Sequence, residues 1–400
     1  MTTTVDITWD AASARRAERQ FLAGPAGTGT PVAEVVGAML GAHAQVLSAA
    51  EVSVGMRADG VTRADVRAAL WEDRSLVKTY GPRGTVHLLA ARELPLFSAA
   101  LTAVPTGPSP FPPGVRLTEE QAGQVVAAIG DALDGRFLTL DELSDEVVAR
   151  TGPWAGDRVM PAFQDLWPRW RQVMHRAGWA GTLCFGPNRG RKATYTRPVP
   201  GDVEADAKDV PEVPRDLEAD PGDALAAFVH RYLHAYGPAT PQHFARWLAA
   251  PPGWATALFG ELASAGRSEE VLFEGTPAWV AAGDTDFPEG PARGVRLLPY
   301  FDAYLIAGQP RERLFPGAAY ERALGGGQAG NYPVLLVDGV VAGVWHQRRR
   351  GRRTTVTVEP LVRLTARQER ELGEQVERVG EVLEAAPELV VGEVTVGPHA

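Results

Sequence analysis

One device is written three times along this chain, and it limits the fold more than any other feature. It reads VTRADVRAAL from Val61, LTLDELSDEV from Leu138 and ATPQHFARWL from Ala239. In each copy a threonine (Thr62, Thr139, Thr240) stands ahead of a helical run. Apolar residues follow four positions later (Val66, Leu143, Phe244) and eight positions later (Leu70, Val147, Leu248). A threonine hydroxyl accepts a hydrogen bond from a free N–H of the first helical turn, and Asp65 and Glu142 stand where a side chain reaches back. The apolar row gives each helix one face to bury. Strand-like sequence broken by Gly, Pro or Asn follows each copy: SLVKTYGPRGTVHLL, GWAGTLCFGPNRGRKATYTR and EEVLFEGTPAWVAAG. We expect hairpins turning near Gly81-Pro82, Gly186-Pro187-Asn188 and Gly275-Thr276-Pro277. A capped helix followed by a hairpin is the order of a winged helix-turn-helix.

The expected fold class is therefore α+β and mainly helical, with three tandem winged helices and a C-terminal β-rich segment. The first unit spans residues 15–105 and the second 115–200. An acidic linker covers 201–223, the third unit 224–290, and C-terminal strands with a closing helix 291–400. The first boundary is the Pro/Gly spacer VPTGPSPFPPG. The linker follows from nine acidic residues between Asp202 and Asp223, opposed by Lys208 and Arg215. The segments GVRLLPYFDAYLIAG and YPVLLVDGVVAGVWHQRRRGRRTTVTVEPL read as strands, and a helix from about Thr365 to Glu384 closes the chain.

Composition narrows the function classes. No apolar run is long enough for a membrane span, and MTTTVDITWDAASARRAERQ has no hydrophobic signal core, so we expect a cytoplasmic protein that is not exported. A single cysteine, Cys184, excludes a disulfide framework and a cysteine zinc site. His230 and His234 have the spacing of helical metal ligands but no third partner, and neither a metal nor an organic cofactor is expected. P-loop, Rossmann and nucleophile-elbow patterns are missing. A net charge of −9 argues against a protein that is basic all over but leaves room for a basic groove. Two turns carry concentrated positive charge. One holds Arg348, Arg349, Arg350, Arg352 and Arg353 around Gly351; the other holds Arg189, Arg191 and Lys192. Arginine forks suit phosphate, so both are candidate DNA contacts.

Within the apolar stretch MLGAHAQVLSAAEVSVGMR, His43 and Gln45 flank Ala44. Residues two apart on a helix diverge by roughly 200°, so a shared target requires a helix end or an irregular turn there. Arg57 closes the same stretch and suits either a cleft or an ion pair. Arg83 and His87, in PRGTVHLL, suit backbone contact or support of the motif. We carry these three as DNA-facing candidates. Asp302 and Tyr304, in YFDAY, read as structural.

The segments LGAHAQVLSAAEVSVGMR, PRGTVHLL, YGPATPQHFARWL, LLPYFDAYLIAG and LLVDGVVAGVWHQRRRGR, in this order, resemble the AlkZ/YcaQ family of winged-helix DNA glycosylases. The resemblance implies three winged helices in a C shape around duplex DNA. It also implies hydrolytic release of N7-alkylated guanine, including bulky natural-product adducts, in base excision repair or in self-resistance to a genotoxin. The family's catalytic Gln-x-Gln or Gln-x-Asp motif falls on His43-Ala44-Gln45, with histidine in place of the first glutamine. In that reading Gln45 positions the attacking water and His43 holds the same water or takes its proton. The partner is duplex DNA containing alkylated guanine, met at the nucleoid by a monomer. The rival reading is a winged-helix DNA-binding regulator without catalysis.

Overall fold

The computed structural model describes residues 5–105, 107, 109, 111–161, 165–198 and 221–397. Each repeated device lies at the centre of one helical unit. In the first, helix Val32–Ala38 leads into a two-residue strand, Ala42–His43. Helices Leu47–Gly55 and Arg63–Trp71 follow, then a hairpin of Leu76–Tyr80 and Val86–Ala90. The short strand pairs with the hairpin's second strand, which is thus the middle of three. The second unit repeats this order with Glu119–Leu133, Leu138–Thr139, Leu140–Thr151, Met174–Trp179 and the hairpin Cys184–Arg189/Lys192–Thr196. In the third, helices Pro221–Tyr236, Pro241–Leu248 and Pro252–Ser264 precede the hairpin Ser268–Phe273/Thr276–Ala281, and an isolated bridge from Ala239 to Trp279 replaces the short strand.

The threonines cap as the sequence reading expects. Thr62, Thr139 and Thr240 each accept from the third backbone N–H of their helix, and the side chains of Asp65, Glu142 and His243 reach back to close a capping box. Each cap contributes on the order of 1 kcal/mol. Val66, Leu143 and Phe244, one turn later, are fully buried at the centres of three separate apolar clusters. Two hairpins turn where expected, at Pro82–Gly84 and Glu274–Gly275. The second differs: Gly186, Pro187 and Asn188 lie inside strand Cys184–Arg189, and the chain reverses at Gly190 and Arg191. The ladder shifts register between Gly186 and Arg189, so the proline sits at an irregularity and the reversal passes to a glycine at φ 63°. Of the expected acidic linker, all but residues 221–223 lies outside the described residues, and those three begin helix Pro221–Tyr236.

The C-terminal strands form one five-stranded sheet, in the order Val295–Leu298, Val334–Val337, Val340–Arg350, Arg353–Pro360 and Ala386–Val391. Helix Ala366–Leu383, capped by Thr365, lays Leu372, Val376 and Val379 against Trp345, Val356 and Val358 of this sheet. Val52 and Met56, from helix Leu47–Gly55 and its C-terminal cap, belong to the same cluster. The helix that follows Gln45 is therefore embedded in the C-terminal core. At the other end of the chain, Asp6–Ile7 adds a parallel strand to the third hairpin, and helix Trp9–Arg19 packs between that hairpin and the C-terminal segment. No described helix is long and apolar enough to cross a membrane.

Candidate active site

His43 lies on a short strand and Gln45 in the bend that leads into helix Leu47–Gly55, next to its N-cap Val46, where a helix end or an irregular turn is expected from the sequence. Ala42–His43 is a strand, and one further backbone bond, Ala44 N–H to the Val86 carbonyl at 2.8 Å, carries the pairing past it. Side chains alternate along extended chain. Ala44 points into the apolar cluster of the first unit and is fully buried, while His43 and Gln45 flank it. Gln45 is exposed, whereas His43 is only 7 % exposed. The motif therefore consists of a solvent-facing amide beside an enclosed imidazole.

The approach to this strand is fixed by backbone geometry. Leu40 has φ 53° and Gly41 φ 94°. A Cβ on Gly41 would stand 2.7 Å from the Leu89 side chain, so the position requires glycine in both conformation and space. Tyr236 of the third unit donates its hydroxyl to the Met39 carbonyl at 2.5 Å and fixes the entry to the turn.

Three polar side chains form a row across the sheet. His43 is directly opposite His87, and His87 is directly opposite Thr79. The two imidazoles are 4.0 Å apart between centroids, tilted at 45°. His87 bonds the Thr85 carbonyl through Nδ1 at 2.8 Å, which requires the proton on that nitrogen. Burial drives the His87 pKa down to about 3, with a further downward push from Arg83 opposing the upward effect of the Thr85 carbonyl bond. The His43 pKa is also held well below the ordinary 6.5, first by burial, then by His87 and Arg83. Both rings are neutral at pH 7. Arg83 donates to Nε2 of His43 at 2.9 Å, so His43 carries its proton on Nδ1. The Arg83 backbone adopts φ 60°, and its other terminal nitrogen donates to the Trp247 carbonyl at 2.9 Å. The ring of Phe301 stands 6.3 Å from that of His43.

The remaining candidates divide sharply. Arg57 does not face a cleft. It is fully buried and forms a bidentate pair with Asp302, 2.8 Å on each arm, while the Ser53 hydroxyl donates to the same carboxylate at 2.7 Å. A charge so enclosed needs its counter-ion, and the pair locks helix Leu47–Gly55 to the start of helix Ala303–Ala307, which Asp302 caps. His87 is likewise no surface contact: at 2 % exposure it is the floor beneath His43. Arg83 is half-buried and spans the first and third units. Arg189 and Lys192 are exposed but paired with Glu142 and Asp141, and Arg191 is exposed at the turn. Arg348, Arg349, Arg350, Arg352 and Arg353 occupy an exposed hairpin tip around Gly351, and none of the five has a carboxylate partner among the described residues. Sequence reasoning missed Phe301 and Tyr236. The segment YFDAY drew notice only for its polar residues, and no local signal places Tyr236 beneath Met39.

Three helical units that each end in a hairpin, with a polar pair beside the edge strand of one sheet and an exposed arginine-rich hairpin in the C-terminal sheet, frame the site. The comparisons give the class. A family model described as DNA glycosylase AlkZ-like matches residues 36–382. An interstrand DNA cross-link repair glycosylase of Streptomyces sahachiroi is 32% identical over 345 residues, covering 84% of this chain and 87% of that protein. The solved structure of the Streptomyces sahachiroi DNA glycosylase AlkZ superposes with a TM-score of 0.72 at 28% identity, covering 97% of this chain and all of that one. The chain belongs to the AlkZ-like DNA glycosylase family. It is a hydrolase of N-glycosyl bonds in DNA, which sets the regulator reading aside.

Proposed function

We propose that this glycosylase releases N7-alkylated guanine from duplex DNA, with His43-Ala44-Gln45 as its catalytic element. The observation that carries this reading is an exposed Gln45 amide two residues beyond a buried, neutral His43 at the end of one edge strand. Alkylation at N7 makes the base cationic, so the C1′–N9 bond breaks with its electron pair passing to the base, which leaves neutral. The sugar becomes oxocarbenium-like, and catalysis consists of holding a water on its open face and placing dipolar density near the growing charge. The Gln45 carbonyl does both. A neutral imidazole adds no like charge against a cationic lesion, and its burial keeps it neutral. The water's proton passes to solvent or to His43 Nε2 when Arg83 releases that nitrogen.

Among the described residues, no lysine serves as a sugar nucleophile in this scheme. Lys78, on the first hairpin, turns its ammonium over the Phe185 ring at 4.6 Å. Water is therefore the nucleophile and the enzyme is monofunctional. The exposed arginine hairpin contacts DNA backbone, the enzyme acts as a monomer at the nucleoid, and its N7-alkylguanine substrates include bulky natural-product adducts, in repair or self-resistance. The test is incubation with duplex DNA bearing a single N7-alkylguanine. Free alkylguanine and an abasic site are expected; loss of both in Gln45→Ala assigns the motif, and release by the variant at the parent rate removes Gln45 from the chemistry.

A further inference from the structure

Around the C-terminal end of helix Pro241–Leu248, arginines gather without acidic partners. Arg83 donates to the carbonyl of Trp247, and the neighbouring Arg246 donates to Gln309 Oε1 at 3.5 Å. Arg311, two residues beyond Gln309, donates to the carbonyls of Leu305 and Ile306. Beneath them, Arg16 is buried and donates to the Gly237, Pro238 and Gln309 carbonyls. None of the four pairs with a carboxylate among the described residues, in a chain whose net charge is −9. Elsewhere the same fold neutralises its arginines freely: Arg57 with Asp302, Arg231 with Glu93, Arg322 with Glu359. Arg311 and His243 both have their pKa lowered, first by burial and next by the neighbouring guanidinium charges. Backbone carbonyls orient these groups but do not cancel their charge, and Arg246 is exposed at the mouth of the cluster.

We propose that Arg246, Arg83 and Arg311 form a binding site for a backbone phosphate of the DNA, at the seam between the first and third units. The site adjoins the His43 motif because Arg83 touches both. It deepens the catalytic reading above: an uncompensated guanidinium beside a cationic lesion is unfavourable unless a phosphate neutralises it. As Arg83 turns toward that phosphate, it leaves Nε2 of His43 open. Guanidinium forks bind phosphate through paired donors, and each neutralised phosphate releases counterions.

The experiment measures binding of an undamaged duplex oligonucleotide to the full chain by fluorescence anisotropy across a salt series. Arg246 is exposed, so its variants keep the fold. Arg246→Ala weakens binding by about 3- to 10-fold near physiological salt and flattens the slope of log K against log salt by ~0.9. Arg246→Glu weakens it further, and Arg246→Lys recovers most of the affinity. An Arg246→Ala protein with the parent affinity and salt slope overturns the proposal. Because the readout is binding, it is independent of chemistry. If Gln45→Ala still releases base while Arg246→Ala loses affinity, the catalytic reading fails and the phosphate site stands.

Discussion

Arg83 and His43 are joined at 2.9 Å from guanidinium to Nε2, so a permanently charged group holds the lone pair of a neutral ring. The contact fixes the tautomer and helps depress the His43 pKa. Arg83→Ala removes both effects. We expect the His43 pKa of the DNA-free protein to rise. NMR titration of the imidazole without DNA, in parent and variant, checks the shift. An unmoved titration means that Arg83 does not tune the imidazole.

The parent enzyme has its own pH signature. An unperturbed histidine would lose its neutral form as pH falls through about 6.5. His43 is held well below that value, first by burial. Base release should therefore stay level from pH 8 through pH 6 and decline only in more acidic solution. A half-maximal point near 6.5 contradicts the assigned environment.

Stability follows the same linkage. The folded chain holds His87 at about 3, while the unfolded chain titrates it near 6.5. The unfolded state therefore binds the proton first. The stabilisation is present above about pH 6.5 and is lost as pH falls toward 3, at ~1.4 kcal/mol per pH unit for one such group. Urea unfolding at pH 7, 6 and 5 should show this decline, and His87→Gln should flatten it. A slope unchanged in the variant removes His87 from the balance.

The capping threonines made the fold legible in sequence, because a threonine ahead of an apolar i, i+4, i+8 row announces a helix start locally. Thr62, Thr139 and Thr240 all cap as expected. The tip around Gly351 was legible for the same reason: its turn signal is local. The site was only half legible. The strand Ala42–His43 has two residues and exists because Val86–Ala90 supplies its partner; an Ala-rich stretch carries no local mark of this, whereas the bend at Gln45 ahead of helix Leu47–Gly55 fits the helix end or irregular turn read from the sequence. Arg57 and Asp302 are 245 positions apart, and nothing near either announces the other. Long-range pairing likewise decides that Arg189 and Lys192 are neutralised while Arg348 and its neighbours are not.

The Arg57–Asp302 pair is a stability element. Asp302→Asn leaves a buried guanidinium without its counter-ion, which costs about 3–5 kcal/mol. An unfolding free energy from urea titration lowered by less than about 1 kcal/mol would show that the pair is not sealed from water.

Arginines at the two basic turns should differ. Arg352→Ala and Arg353→Ala together should weaken binding to undamaged duplex and flatten its salt dependence by up to ~0.9 for each phosphate no longer neutralised. Arg189→Ala should change both less, because Glu142 already engages that guanidinium. Equal effects from both turns would contradict this ranking.

The most direct measurement is single-turnover release of an N7-alkylguanine from duplex DNA by the parent and by Gln45→Ala. Gln45 is exposed, so the variant should fold and bind DNA as the parent does. Loss of an oriented dipole at the reacting sugar predicts a rate lower by about 10²- to 10³-fold, with DNA affinity little changed. Base release at the parent rate would contradict the account.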